Sequence, residues 1–253
     1  MTVFTCGESF ESMMTCIYDA WSAGLGHGNV RLEREPVMQQ ELFCDYRHVD
    51  ADEGKADKVS RSIRNKISWE AWRQVFMAAH SDQPDRLDAV YRFLILGFHV
   101  GRKVTSMLTE ACVMRILELG RRTGNEMHFF REFTRFTSLN DRVFAAHIEP
   151  KCNIIAMTAE HFADRMPSEH WIMIDDGRQL AVIHPADGEM YLRYLTREEF
   201  QRLRETEKVR DDFTALWEEF FRTTAIRDRE NPLCQRQMMP LRYRKHVTEF
   251  LHF

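Results

Sequence analysis

Apolar residues recur along this chain with two different periods, and the change of period divides it. After a short opening strand, Phe10, Met13, Met14, Ile17, Tyr18 and Trp21 follow the i, i+3, i+4, i+7 spacing of one helix face, behind Ser9, whose hydroxyl suits an N-cap. Strand-like stretches follow around Val30–Leu32 and Leu42–Val49. Helical spacing then returns in three stripes: Val59, Ile63 and Ile67; Trp69, Trp72, Phe76 and Ala79; and Leu87, Val90, Tyr91, Leu94 and Phe98. All three read as core faces. A further helix is predicted from about Thr109 to Arg122, with Val113, Ile116 and Leu117 inward and Gly124 at its end.

Beyond that glycine the pattern reads as strands: "REFTRFTSL", "RVFAAHIEP" and "HWIMIDDGRQLAVIHPADGEMYLRYL". Asp176-Gly177 and Asp187-Gly188 offer the positive-φ residues of tight hairpin turns. "MTAEHFADRM" interrupts the strands as a short helix stopped before Pro167. From Thr196 the chain turns helical again, and Phe213, Leu216, Trp217, Phe220, Phe221 and Thr224 define an amphipathic helix. Helices, then an antiparallel sheet, then helices predict an α+β fold. No Pro/Ser-rich linker or internal repeat divides the sequence, so 1–253 reads as a single α+β domain. Its parts are 1–125, mostly helical, 126–195, the antiparallel sheet, and 196–253, C-terminal helices with a basic tail.

Composition sharpens this picture in a few places. A chain of 253 residues, 44% hydrophobic and 29% charged, has the balance of a folded globular protein. It contains no apolar run of the roughly 18 residues that span a bilayer, and Met1–Phe10 lacks the layout of a signal peptide, so a cytoplasmic location and no membrane partner are expected. The cysteines at 6, 16, 44, 112, 152 and 234 stand singly, which argues against disulfides, a zinc site or an iron–sulfur cluster; no metal and no cofactor is expected. "AGLGHGNV" follows a helix, whereas a dinucleotide-binding glycine loop follows a strand.

Charge is the less ordinary feature. The formal net charge is −4, yet residues 1–60 carry five Lys/Arg against eleven Asp/Glu and 221–253 carry seven against three. In "RENPLCQRQMMPLRYRKH", Arg229, Arg236, Arg242, Arg244, Lys245 and His246 stand against the single carboxylate of Glu230. Asn231 before Pro232 is a helix-start signal, and Pro240 can open a second turn. On a helix from Pro240, Tyr243, Val247 and Phe250 share one side and Arg242, Lys245, His246 and Glu249 another, so the tail is expected to dock with a polar face outward. Intramolecular pairing with the acidic N-terminal region is the competing account of its charge.

The stretches "FESMMTCIYDAW", "LGFHVGRKV", "EMHFFREFTRF", "HFADRMPSEHWIMIDD" and "FFRTTAIRDRENPLCQRQMMPLRYRKHVTE" together resemble a bacterial family associated with DNA metabolism and DNA repair, nearly end to end. The matching residues are Gly97, Phe98, Gly101, Arg102 and Lys103; His128, Phe133, Arg135 and Phe136; His161, Phe162, Arg165, Pro167 and Trp171; and Asn231, Pro232, Gln235, Arg236, Gln237, Pro240, Arg242 and Tyr243. Cys152 stands where members often carry histidine, and Ile174 where they carry histidine or an aromatic residue. The resemblance implies an accessory role: members are encoded beside a radical S-adenosylmethionine protein that acts on DNA, and a similar domain is fused elsewhere to a uracil-DNA glycosylase-family domain.

Those residue types suit DNA. Arginine forks match phosphate oxygens or guanine edges, glutamine pairs with adenine, and Tyr243 or Trp171 offers a stacking ring. The nucleic-acid candidates are Arg102, Lys103, Arg135, Arg165, Arg229, Gln235, Arg236, Gln237, Arg242 and Tyr243. Equally, Gln235, Arg236 and Gln237 can pin the C-terminal helices, and Arg102 with Lys103 can serve a helix dipole. For catalysis, His128, His161 and Asp175 are the candidates within a His/Asp-rich middle that also holds His147, Glu149, His170 and Asp176. No H-E-x-x-H, G-x-S-x-G or P-loop pattern supports them. Three readings follow: a nucleic-acid-binding accessory protein, a DNA hydrolase or glycosylase-like catalytic subunit, or a scaffold that binds only a partner enzyme.

Overall fold

A computed structural model describes residues 1–139, 142–206, 212–224, 226–229 and 231–250. The chain forms two compact units, Met1–Gly124 and Asn125–Phe253. Helices lie at both ends of the chain and a five-stranded, mostly antiparallel sheet in its middle, as an α+β fold requires.

In the first unit, strand β1 (Thr2–Cys6) is flanked on both sides by parallel neighbours, β2 (Val30–Arg34) and β3 (Asp45–Val49), in the order β2-β1-β3. A parallel pair cannot be closed by a hairpin, and helix α1 (Phe10–Ser22) supplies the crossover from β1 to β2. Ser9 caps it by accepting the Ser12 amide at 3.0 Å. Met13, Met14, Ile17 and Ala20 are buried as the spacing predicts, while Trp21 is 37% exposed.

Of helices α2 (Glu53–Lys66), α3 (Trp69–Ala79) and α4 (Arg86–Val100), α4 lies against β2, and α2 and α3 pack on α1 and α4 in one core with the sheet. Asp52 and Ser68 cap the first two by accepting the Lys55 and Ala71 amides at 2.9 and 3.0 Å. Val59, Ile63, Ile67, Leu87, Val90 and Leu94 enter one core, each fully buried large side chain contributing about 1.5–3 kcal/mol. Trp69 departs from its predicted stripe and is 60% exposed.

Helix α5 (Ala111–Phe133) corrects the boundary expected at Gly124 and the strand expected from Arg131. Its glycines serve packing rather than termination. A Cβ at Gly120 or Gly124 would lie 3.6–3.7 Å from atoms of Met77 on α3, and neither glycine has positive φ.

The second unit is built on the sheet β4 (Thr137–Leu139), β5 (Val143–Ile148), β6 (Trp171–Asp175), β7 (Leu180–His184) and β8 (Tyr191–Tyr194), hydrogen-bonded in chain order. It is not wholly antiparallel: β5 and β6 run parallel, because helix α6 (Ile155–Arg165) lies between them as a crossover. Alternation along β6 and β7 sorts two faces. Trp171, Met173, Leu180 and Val182 join Phe130 of α5 and Phe162 of α6, whereas Ile172, Ile174 and Ala181 meet Phe200 and Leu203 of α7 (Arg197–Thr206). Thr196 and Glu199 close that helix's start reciprocally, each side chain accepting the other's amide.

The hairpin turns fall where expected. Positive φ belongs to Asp187 (55°), within the expected Asp187-Gly188 pair, and to Gln179 (52°), outside the expected Asp176-Gly177 pair, and to neither glycine. Helix α8 (Asp212–Thr224) forms, yet its expected core stripe leaves Leu216 and Phe220 exposed; of Phe213 only the backbone is described. No disulfide joins any of the six cysteines, and no helix of the described residues is long and apolar enough to cross a membrane.

Candidate nucleic-acid interface

The basic tail docks, and its docking consumes part of its charge. Asn231 caps α9 (Pro232–Met238) by accepting the Cys234 amide at 3.0 Å, and Pro240 precedes a single 3-10 turn, Leu241–Tyr243, in place of the longer helix expected there. Tyr243 is 5% exposed, its ring centroid 4.7 Å from Phe129 and 5.3 Å from Phe130. It is part of the core and offers no face to a base. The same correction applies to Trp171, 1% exposed and stacked on His184.

Arg242 lies over the Tyr243 ring and reaches Glu126 at 2.8 Å. Glu126 is 2% exposed and also accepts the Lys151 and Cys152 amides, so three donors converge on one buried carboxylate. Arg135 grips Glu249 through two nitrogens, at 2.7 and 3.3 Å. Burial works to raise the Glu249 pKa, but the Arg135 guanidinium overrides it and leaves the carboxyl below its ordinary value. Lys245 pairs with Glu149, and Arg244 donates to the Met239 carbonyl at 3.1 Å. Arg135 and Arg242 therefore hold this unit together. The carboxylates that hold Arg242 and Lys245 come from the unit itself.

The tail's outer part is different. Arg229, Gln235, Arg236 and Gln237 are exposed, and no side-chain hydrogen bond or ion pair holds them among the described residues. Arg165, the last residue of α6, is likewise exposed.

The catalytic candidates do not form a constellation. His128 is exposed on α5 and meets Glu132 at 3.2 Å. His161 is held below its ordinary pKa by burial and by the Arg131 and Arg165 charges. Asp175 is fully buried at the end of β6, where desolvation raises its pKa, and its oxygens take the Arg178 guanidinium at 3.0 Å and amide at 3.1 Å. No hydrogen bond or ion pair joins these three to one another among the described residues. The sheet instead pairs His147 with Asp176 at 2.7 Å, and the other His147 nitrogen faces the Leu203 carbonyl at 3.1 Å. Both ring nitrogens thus have partners within the unit. No group of three His, Cys, Asp or Glu side chains suited to a metal occurs among the described residues.

In the first unit, Arg102 and Lys103 lie in the 3-10 turn Gly101–Ser106 that follows α4. Two glycines bring this turn against the α2–α3 joint. A Cβ on Gly97 would come within 2.8 Å of Ile67, and Gly101 sits at φ 68°, where its Cβ position is 4.0 Å from the Lys66 carbonyl. Arg102, Lys103 and Lys66 are exposed and lack a carboxylate partner among the described residues. Trp69 opens α3 three residues after Lys66, stacked on Trp72 at 4.8 Å, and the Arg64 guanidinium lies 6.0 and 5.4 Å from the two ring centroids. One cation, Arg64, thus lies against an exposed indole, and three more, Lys66, Arg102 and Lys103, sit where the turn meets the α2–α3 joint.

Sequence reasoning had singled out two of these cations. It missed Lys66 and Arg64, and it assigned Trp69 to the core because the i, i+3, i+7 spacing continues through Trp72 and Phe76. The available signal was that Trp69 directly follows the cap Ser68, where a helix has only begun to pack. Glu126 was missed too, although it falls on the buried face of α5 between Thr123 and Phe130, where a carboxylate needs partners.

No curated protein matches the chain. A family model described as a domain of unknown function, DUF4130, matches residues 84–249. That match spans about two thirds of the sequence, from the later part of the first unit through nearly all of the second, and the chain belongs to the DUF4130 family.

Proposed function

We propose that this protein binds DNA as an accessory factor in repair or modification, working beside a radical S-adenosylmethionine enzyme or a uracil-DNA glycosylase-like partner. The observation that carries the DNA reading is the exposed Trp69 beside the Arg64 guanidinium, at the α2–α3 joint where Lys66 meets the turn that carries the exposed Arg102 and Lys103. Cations that lack carboxylate partners attract phosphates, and an exposed indole stacks on any unpaired base. Arg165, Arg229, Gln235, Arg236 and Gln237 supply further exposed donors on the second unit. The partner rests on the resemblance in the motifs above.

Fluorescence anisotropy with single-stranded, duplex and uracil-containing DNA across a salt series tests this. With about four phosphates engaged on a single strand, affinity should drop roughly fiftyfold between 50 and 200 mM salt. Arg102→Ala/Lys103→Ala should bind more weakly with a shallower salt slope. Salt-independent binding, or none, would sink the proposal.

One observation favours the scaffold as a second reading. Leu216, Phe220, Leu233 and Met238 are 65%, 56%, 73% and 70% exposed on α8 and α9, an apolar surface of the kind a partner enzyme covers. Co-purification with such an enzyme and no affinity for DNA would favour it.

A further inference from the structure

The DNA reading leaves one feature of the first unit unused. A cleft of about 330 Å³ opens between α1, α2 and α4, within the size range of small-molecule sites. Aromatic rings form much of its wall: Tyr18 and Trp21 from α1 and Phe98 from α4. Trp21 meets Phe98 edge-on with centroids 5.3 Å apart, a contact that holds the indole in place. From α2 come Lys58, Ser62 and Lys66, spaced i, i+4, i+8 and hence on one helical face.

The charge of this cleft is one-sided. None of its lining residues is acidic. Lys55, one turn earlier, is neutralised by Asp19 at 2.8 Å, but Lys58 and Lys66 have no carboxylate partner among the described residues, and the Ser62 hydroxyl has no hydrogen bond there either. Flat apolar walls, two ammonium groups and a free hydroxyl suit a ligand that is planar at one end, anionic at the other and able to hydrogen-bond. Lys66 belongs both to this cleft and to the cationic corner beside Trp69, and Phe98 lies three residues before the turn that carries Arg102 and Lys103.

We infer that the cleft takes one unstacked nucleotide of a DNA strand whose backbone runs along the Lys66, Arg102 and Lys103 corner. The base lies among Tyr18, Trp21 and Phe98, and its flanking phosphates meet Lys58 and Lys66. The inference rests on the DNA reading above and adds to it a single-base site.

A pair of probes separates the two. One is a short oligothymidylate; the other is an abasic strand of equal length, with the same phosphates and no bases. The oligothymidylate is expected to bind the wild type about tenfold tighter, and that preference is expected to disappear in Ser62→Trp, which fills the cleft. Lys58→Glu, an exposed change that leaves the core untouched, provides a second variant should the tryptophan disturb folding, with circular dichroism as the check. Equal binding of the two strands would overturn the cleft while leaving the cationic surface standing. A preference kept by both folded variants would place the base elsewhere, on Trp69 for example, and would also overturn it. No binding of either strand would remove the DNA reading and the cleft with it, and binding of free thymidine monophosphate alone would make the ligand a small nucleotide, not a strand.

Discussion

The Arg242 guanidinium meets Glu126, a carboxylate with only 2% of its side chain exposed, at 2.8 Å. This pair decides how the basic tail should be understood, because a carboxylate in that position cannot be left without a cation. Breaking it from one side leaves Glu126 in the interior with only the Lys151 and Cys152 amides, at a cost of about 1–3 kcal/mol. Arg242→Ala should accordingly lower the urea midpoint sharply without altering the salt slope of DNA binding in whatever fraction stays folded. Replacing both partners, as Glu126→Gln/Arg242→Met, should recover most of the loss. Equilibrium unfolding of the three variants measures this.

Trp69 gives a prediction specific to single strands. Base–aromatic stacking is worth about 1–3 kcal/mol per base, and a duplex offers no unpaired base to stack. Trp69→Ala should weaken single-stranded binding by a factor of about five to a hundred and leave duplex affinity nearly constant. Because the side chain is 60% exposed, the thermal midpoint should move little.

Acid stability follows from two carboxylates. In the first unit the Arg122 guanidinium holds Asp82 down to about 2, below the ordinary 3.8; in the second, Glu249 lies below its ordinary 4.5. Both folded values are depressed, so the stabilisation is complete above the ordinary values and is lost as pH falls through the folded ones. Thermal melts should therefore hold steady down to about pH 5 and fall steeply between about pH 4 and 2. Asp82→Asn should flatten part of that fall.

Gly124 offers a gain in place of a loss. It lies inside α5 with ordinary φ, and a Cβ there would meet Met77 at a comfortable 3.7 Å. Gly124→Ala should stabilise the protein by up to about 1 kcal/mol. Gly101→Ala, at φ 68°, should instead cost about 1–2 kcal/mol. Differential scanning calorimetry of the two variants should show midpoints moving in opposite directions.

Much of the architecture was legible because local rules govern it. Ser9 and Asn231 cap the helices they were expected to cap, the stripes of α2 and α4 are buried, and β5 to β7 alternate across a two-faced sheet. Strand direction was not legible. Alternation in "RVFAAHIEP" and "HWIMIDD" assigns residues to faces but carries no information on whether neighbours run together or opposed; the crossover through α6 settles that. The three parallel strands of the first unit escaped for the same reason.

The candidate site divides similarly. Arg102 and Lys103 were found by residue type, and the lack of a carboxylate partner then distinguishes them from Arg135 and Arg242, which have the same chemistry but are bound by Glu249 and Glu126. A sequence shows which side chains can hold a phosphate. Whether a carboxylate already occupies them depends on contacts between distant positions.

Those distant contacts bear on how the protein is made. Arg135 and Glu249 stand 114 positions apart, and Tyr243 and Val247 fill the interior from the far end of the chain. The segment as far as Glu249 must leave the ribosome before the second unit can close its interior. The first unit, whose strands and helices are synthesised early and pair among themselves, can mature while translation continues. A chain cut short after Pro240 would carry a folded first unit joined to a second with an open core, the kind of product that quality-control proteases remove.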